Sequence, residues 1–318
     1  MSVRLPEFGD VKLPHHPDGT GLVTVTVTYN PDPEILARQQ QLLPPVALKV
    51  LVDNGSTPEL RERIAGIAAR HGAVLVQNDV NVGLAAALNQ GARHARTLLP
   101  SSRFLLLLDQ DSEPDDGAVE RLVARYAEIE ALAGTACCIG PRLIDVQTNL
   151  EHGFHQQQGW LWIRRYPAST SREPLAVANL NGSGTLMPFF LFEALGGLEE
   201  ELFIDHVDTE WAFRVRAAGH GLYAVPDVSF RHRMGERSLR FWLFGWRVWP
   251  ERSPQRHYYL FRNTMRLMRR PYVPRVWKAW ALLKSALTLL THLVFDPARA
   301  AQLRNMLAGV RDGLRREN

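Results

Sequence analysis

The stretch Phe104–Ser112, FLLLLDQDS, decides the fold. Five consecutive apolar residues, followed by two carboxylates two positions apart, describe a strand buried on both faces whose carboxyl end opens into a polar loop. Such a strand belongs to a parallel sheet covered by helices, and the residues upstream supply its neighbours. Leu22–Thr28 (LVTVTVT) is a β-branched run that stops at Tyr29, Asn30 and Pro31. Leu48–Asp53 and Ala73–Gln77 read as two more strands, and helices are predicted over Glu34–Leu42, Pro58–Arg70 and Leu84–Arg96. The order βαβαβαβ implies an α/β fold with a single open, mostly parallel sheet flanked by helices, in which ligands bind beyond the carboxyl ends of the strands. Asp53–Ser56 and Asp109–Ser112 both stand at such ends.

Downstream, the pattern predicts a helix over 115–132, a strand through Cys137–Gly140, a polar stretch over 145–176 that is expected to be mobile, and a strand over Ala176–Met187 interrupted by Asn181–Gly184. A strand over Tyr223–Phe230 follows. Residues up to 230 carry 18 Lys and Arg against 28 Asp and Glu, those beyond carry 19 against 5, so the net charge of +4 divides into about −10 and +14. Six of the eight tryptophans fall between 211 and 280, among these arginines. A segment so basic faces an anionic partner, for which nucleic acid and an anionic membrane surface are the physical candidates. The expected organisation is an arm over 1–21, an α/β domain over 22–235 with halves 22–112 and 113–235, and a basic, Trp- and Arg-rich helical region over 236–318. With 318 residues, 46% of them hydrophobic, the chain is not disordered. Its two cysteines, adjacent at Cys137 and Cys138, exclude a disulfide framework and favour a reducing compartment. Residues 1–21 hold no continuous apolar run of the kind a secretory signal needs, so a cytoplasmic location is expected.

Several polar clusters bear chemistry. Asp109 and Asp111 at a strand end suit one hard divalent cation, which neutralises a substrate diphosphate. His232, after the predicted strand at Tyr223–Phe230, is a third candidate ligand. Asp53, next to Asn54, Gly55 and Ser56, is placed to accept from an imide or ribose donor of a nucleotide. In Asn78–Gly91 (NDVNVGLAAALNQG), Gly83 permits close approach and the following helix N-terminus offers amides to phosphate. Leu202–Trp211 (LFIDHVDTEW) sets four ionisable residues among apolar ones: Asp205 as a helix N-cap, Glu210 paired with Arg214, and one carboxylate free to act as a general base. Each cluster also has a plain structural explanation, a capping aspartate before 115 or an Asn-Gly turn at Asn54 and Gly55 among them.

Taken in order, the motifs resemble the inverting GT-A glycosyltransferases of family 2, over roughly residues 22 to 270. Val27, Thr28, Tyr29 and Asn30 match the end of that family's opening strand, and Asp53 its nucleotide-base aspartate. Asn81-Val82-Gly83 and Asn89-Gln90-Gly91 match its paired Asn-x-Gly motifs, and Asp109 and Asp111 its metal-binding Asp-x-Asp. The family's acidic acceptor motif falls on Asp208 as catalytic base, Glu210 as the neighbouring acid and Arg214. Leu107–Ser112 together with Leu202–Glu210 is similar to the dTDP-L-rhamnose branch. Val207 stands where the family's usual glutamate precedes the base, which makes Asp205 a rival for that role. The resemblance implies a GT-A fold, a dTDP-L-rhamnose donor, a Mg²⁺ or Mn²⁺ ion on Asp109, Asp111 and His232, and a single displacement with inversion. It implies donor contacts from Thr28, Tyr29, Asn30, Asp53, Asn54, Asn81, Gly83, Asn89, Asp109 and Gln110. Arg237, Arg262 or another arginine of the basic region is expected at the diphosphate. Tyr258, Tyr259, Arg262 and Asn263 fit a helix under the active site, and Asn181–Gly184 an acceptor floor.

The implied acceptor is lipid-borne and rhamnose-containing: monorhamnolipid first, an O-antigen or other cell-surface saccharide as the alternative. Val276–Phe295 is apolar over a bilayer's length, but Lys278, Lys284 and His292 interrupt it. Each lysine near the centre of a spanning helix would cost roughly 2.5 to 3.5 kcal/mol. The segment is therefore expected either to lie on the cytoplasmic face of the inner membrane or to pack in the C-terminal core. Two other classes fit less well. A dinucleotide oxidoreductase lacks its glycine motif where Tyr29, Asn30 and Pro31 stand. A catalytically silent sugar or nucleic-acid binder does not need Asp109, Asp111, Asp208 and His232 together, and nucleic acid is not expected as a partner.

Overall fold

The computed structural model describes residues 21–233, 238–242, 246–250 and 252–315. The predicted arm and Arg237 lie outside the described residues. The first seven elements follow the sequence pattern closely: β1 (Leu22–Thr28), α1 (Pro33–Leu42), β2 (Leu48–Asp53), α2 (Pro58–His71), β3 (Val74–Gln77), α3 (Leu84–Leu98) and β4 (Phe104–Asp109). Local chemistry sets their ends. Asp32 caps α1 by accepting from the amides of Glu34 and Ile35, Pro33 and Pro58 stand in first turns, and Gly72 closes α2 in the left-handed region. Then come β5 (Ser112–Pro114), α4 (Ala118–Ala133), β6 (Cys137–Asp145), β7 (Phe154–Gln158), β8 (Leu161–Arg165), β9 (Leu175–Ala176), β10 (Leu186–Pro188) and α5 (Phe189–Ala194). The chain continues through α6 (Val207–Ala217), β11 (Gly221–His232), β12 (Ser238–Trp242), β13 (Trp246–Pro250), α7 (Pro254–Arg269), α8 (Arg275–Phe295) and α9 (Arg299–Leu314).

The central sheet runs β3-β2-β1-β4-β10-β6-β11-β5, with β9 also on β11. Strands β1 to β4 and the β6–β11 pair are parallel, while β10, β5 and β9 join antiparallel. Register does the positioning. Thr28 lies opposite Asp53 and Val27 opposite Asp109, which sets the three carboxyl ends side by side. Pairing of β11 with β5 places His232 opposite Ser112.

One expectation is corrected. Ala176–Met187 is not one strand: β9 ends at Ala176, β10 begins at Leu186, and the loop between them turns through Gly184 at φ +83°. The stretch 145–176 carries the β7–β8 hairpin, its tip formed by Gly159 and an exposed Trp160. Leu267, Val273, Trp277 and Ala281 belong to the same buried cluster as Val25, Val52 and Leu107 of the sheet. Each fully buried aliphatic side chain there contributes about 2 kcal/mol, so the helical region is anchored as part of the catalytic fold. Both cysteines of β6 are buried and free.

Candidate active site

At the end of β4, Asp109, Asp111 and His232 bring their ligand atoms within 4.8 Å of one another. Burial pushes both carboxyls above the usual range, against the pull of the nearby His232. The mixed oxygen and nitrogen donors suit Mg²⁺ or Mn²⁺. His232 Nδ1 stands 3.4 Å from Asp111 and shares a 2.9 Å hydrogen bond with Ser112 Oγ. Ser112 in turn bonds Ser183, whose hydroxyl accepts from the Asp109 amide at 3.0 Å. Ser112 and Ser183 thus aim the triad, a role that nothing in the local sequence marked.

The nucleotide side lies between β1, β2 and the loop before α3. Asp53 is fully buried; its Oδ1 accepts from the Ser56 amide and the Thr28 hydroxyl, while Oδ2, 3.5 Å from Arg61 Nε, has no hydrogen bond. An unsatisfied buried carboxylate oxygen is costly, and a donor NH of a nucleotide base removes that cost. Tyr29 is half exposed at the rim. Gln110, in the turn after β4, clasps it by accepting from the Tyr29 amide at 2.7 Å. Asn30, at φ +48°, accepts from the Thr57 amide and donates its own amide to Ser56. Asn54 knits the facing loop: it donates to Asn81 and to the Gly83 carbonyl and accepts from Val82 and Asn78.

Three groups expected at the donor are bonded within the protein. At the N-terminus of α3 the first two amides are engaged within the protein, since Gly83 donates to Asn81 Oδ1 and Leu84 to the Phe203 carbonyl. Gly83 is required for another reason: at φ +94° a side chain would be strained, and its Cβ would fall 2.6 Å from the Phe203 ring. Asn89 is buried in the core, donating to Leu198 and Glu200 and accepting from the Leu198 amide. Arg262 is also engaged elsewhere, on the Glu201 and Leu202 carbonyls. The arginines whose charge acts on the triad are Arg256, felt by Asp109 and Asp111, and Arg233, felt by Asp111.

The acceptor side rests on the loop before α6, where Phe203, Asp205 and His206 all hold positive φ between 63° and 64°. Three strained non-glycine residues in four positions need external support. Asn263 of α7 supplies it, donating to the Leu202, Ile204 and Asp205 carbonyls at 2.8 to 2.9 Å, while Tyr259 stacks on Phe203 at 4.7 Å. Helix α6 starts at Val207 after His206, so Asp205 is not its N-cap. Asp205 instead binds Arg252 and Arg256; burial raises its pKa, and the two guanidinium charges outweigh that and hold it below the ordinary range. Glu210 is filled on both oxygens by Arg214, with Tyr272 donating a third bond at 2.7 Å. Asp208 differs from both. Its Oδ1 accepts from the Thr209 amide at 2.7 Å, the Gly182 amide supports it, and no cation pairs with it among the described residues. Burial first, with the negative charge of Asp109 added, pushes it up to about 6 against those backbone hydrogen bonds. Among the carboxyls of this loop, only Asp208 is unpaired and tuned to exchange a proton near neutrality.

Comparison with known proteins matches this geometry. Residues 44–196 fit the family model described as Glycosyl transferase family 2. The dTDP-rhamnosyl transferase RfbF of Shigella flexneri is 30% identical over 256 residues, covering 80% of this chain and 82% of the relative. The mannosyltransferase PcManGT from Pyrobaculum calidifontis, solved with GDP-Man and Mn²⁺, superposes with a TM-score of 0.53 at 16% identity, over 94% of this chain and 89% of that one. GalNAc-T7, solved with UDP, GalNAc and Mn²⁺, superposes with a TM-score of 0.54 at 20% identity; the match covers 86% of this chain and 58% of that longer chain. The fold is the GT-A α/β fold.

Proposed function

This chain belongs to glycosyl transferase family 2, and we propose that it moves L-rhamnose from dTDP-L-rhamnose, with inversion, to a hydroxyl of a lipid-borne acceptor at the cytoplasmic face of a membrane. The observation that carries the reaction is Asp208: an unpaired carboxyl raised to about 6, close enough to the Asp109 end of the triad to feel its charge. The donor assignment rests on the Shigella relative and on Asp53 Oδ2, which lies near Arg61 but makes no hydrogen bond and would accept the imide NH of the base.

Asp208 takes the acceptor hydroxyl's proton as that oxygen attacks the anomeric carbon and the bond to dTDP breaks on the opposite side. A divalent cation held by Asp109, Asp111 and His232 supplies charge neutralisation of the leaving diphosphate when bound. Thr28 and Asn54 hold Asp53 and the facing loop in place, and the exposed Tyr29 ring borders the base. Arg256 and Arg233 stand where they add positive charge beside the diphosphate. Asp205 acts as the anchor of Arg252 and Arg256, and Glu210 fixes α6 to Tyr272.

The test offers dTDP-L-rhamnose with Mg²⁺ or Mn²⁺ to monorhamnolipid and, separately, to a lipid-linked rhamnosyl saccharide, with products read by mass. One added deoxyhexose on either acceptor supports the reading and identifies the acceptor. Failure of dTDP to bind in the presence of either ion overturns it.

A further inference from the structure

We propose that the outward face of α8 is a docking surface for an anionic lipid bilayer. Trp280, Leu283, Leu287, Leu290 and Val294 form one stripe along this helix, each between 40% and 59% exposed. Leu282, also half exposed, widens the stripe beyond a two-position seam. From Trp280 to Val294 it extends about 21 Å along the helix axis. The side of the helix turned to the protein is buried through Trp277, Ala281, Thr288 and His292, so its orientation is fixed. No helix of the described residues is long and apolar enough to cross a membrane. The arrangement is that of a helix lying in the interfacial plane.

The occupant follows from charge. Between Arg275 and Leu314 the sequence holds only two acids, Asp296 and Asp312. Asp296 is buried on His292 and Gln302, and Asp312 is engaged by Arg311 and Tyr258. The exposed cations Arg275, Arg299 and Arg304 of α8 and α9 therefore face solvent with neither acid of this stretch left to balance their charge. A second copy would bring like charges together across the stripe, whereas an anionic bilayer meets both its apolar and its basic parts. The inner edge of α8 adjoins the acceptor side: the Lys284 charge acts on His152, His155 and His206. A membrane seated on α8 thus lies beside the site an acceptor head group must enter. This deepens the lipid-borne acceptor reading and rests on it.

The test is co-sedimentation of the full chain, without donor or acceptor, with vesicles of phosphatidylcholine alone or mixed with phosphatidylglycerol. The expected result is binding to the mixed vesicles that weakens with salt and falls by about tenfold or more in the Leu283→Asp, Leu287→Asp double variant. Retained dTDP binding in that variant shows that it folds. Arg299→Glu with Arg304→Glu, which keeps the stripe intact, removes the preference for phosphatidylglycerol. Wild type left in the supernatant with both vesicles overturns the proposal. So does a double variant that sediments like wild type, or a wild-type dimer that the double variant dissociates. Because no substrate enters this assay, a negative result leaves the transfer reaction standing, and a failed transfer assay leaves docking standing.

Discussion

The donor and acceptor sides of the cleft are built on different principles. On the donor side Asp53, Asp109 and Thr28 are strand ends, set in place by the register of a buried parallel sheet. On the acceptor side Asp208 follows a loop with three left-handed non-glycine residues, held by a helix some fifty residues further on. A sheet end is rigid because the core behind it is rigid; a strained loop is only as rigid as its clamp. Substitutions on the donor side should therefore change binding of the nucleotide, and those on the acceptor side should change turnover.

The largest effect is expected from Asp208→Asn, which should lower transfer by about 10²- to 10⁴-fold with dTDP affinity unchanged in calorimetry. Activity equal to wild type would move the base off Asp208 and erase the contrast. Next is Asn263→Ala, which removes three hydrogen bonds to the loop, each worth about 1 kcal/mol. It should cut kcat by at least tenfold and lower Tm while leaving the dTDP dissociation constant near wild type. A parallel loss of nucleotide binding would show that the two sides are not separable. Asp53→Asn sharpens the opposite arm: dTDP should bind about tenfold more weakly, as expected for one lost charge-assisted bond, with the change appearing in KM more than in kcat. The pH profile follows from Asp208. Its raised pKa of about 6 means that the active, deprotonated form is lost as pH falls through 6. At pH 5 kcat should be about a tenth of its plateau, and the residual rate of Asp208→Asn should not show that limb. Gln110→Ala should have the smallest effect, below about 1 kcal/mol in thermal unfolding, because it loosens only a clasp on Tyr29.

Much of the donor side was legible in the sequence. Strand periodicity alone located Leu22–Thr28, Leu48–Asp53 and Phe104–Leu108, and so put Asp53 and Asp109 at carboxyl ends before any contact was known. Asn89 could not be assigned from its motif, for a physical reason: an Asn-x-Gly on a helix has the same local signature whether its amide meets a ligand or a buried carbonyl. Here Gly91 lets α3 press on Val25 and Val52, and Asn89 turns inward to Leu198. On the acceptor side, the motif favoured Asp208 and left Asp205 as a rival. Arg252 and Arg256 engage Asp205 and leave Asp208 unpaired.

By itself, then, the sequence determined the parallel α/β sheet, the carboxylates at its edge, the basic C-terminal region and the family, because these are written in short-range periodicity, in local motifs and in composition. Only the tertiary structure decided which carboxylate is free, that His232 meets Asp111 across the β11–β5 pairing, that Ser112 and Ser183 aim the triad, and which face of α8 stays outside. Those choices depend on partners that lie far apart along the chain, and such partners are selected by register and helix packing rather than by any residue's neighbours.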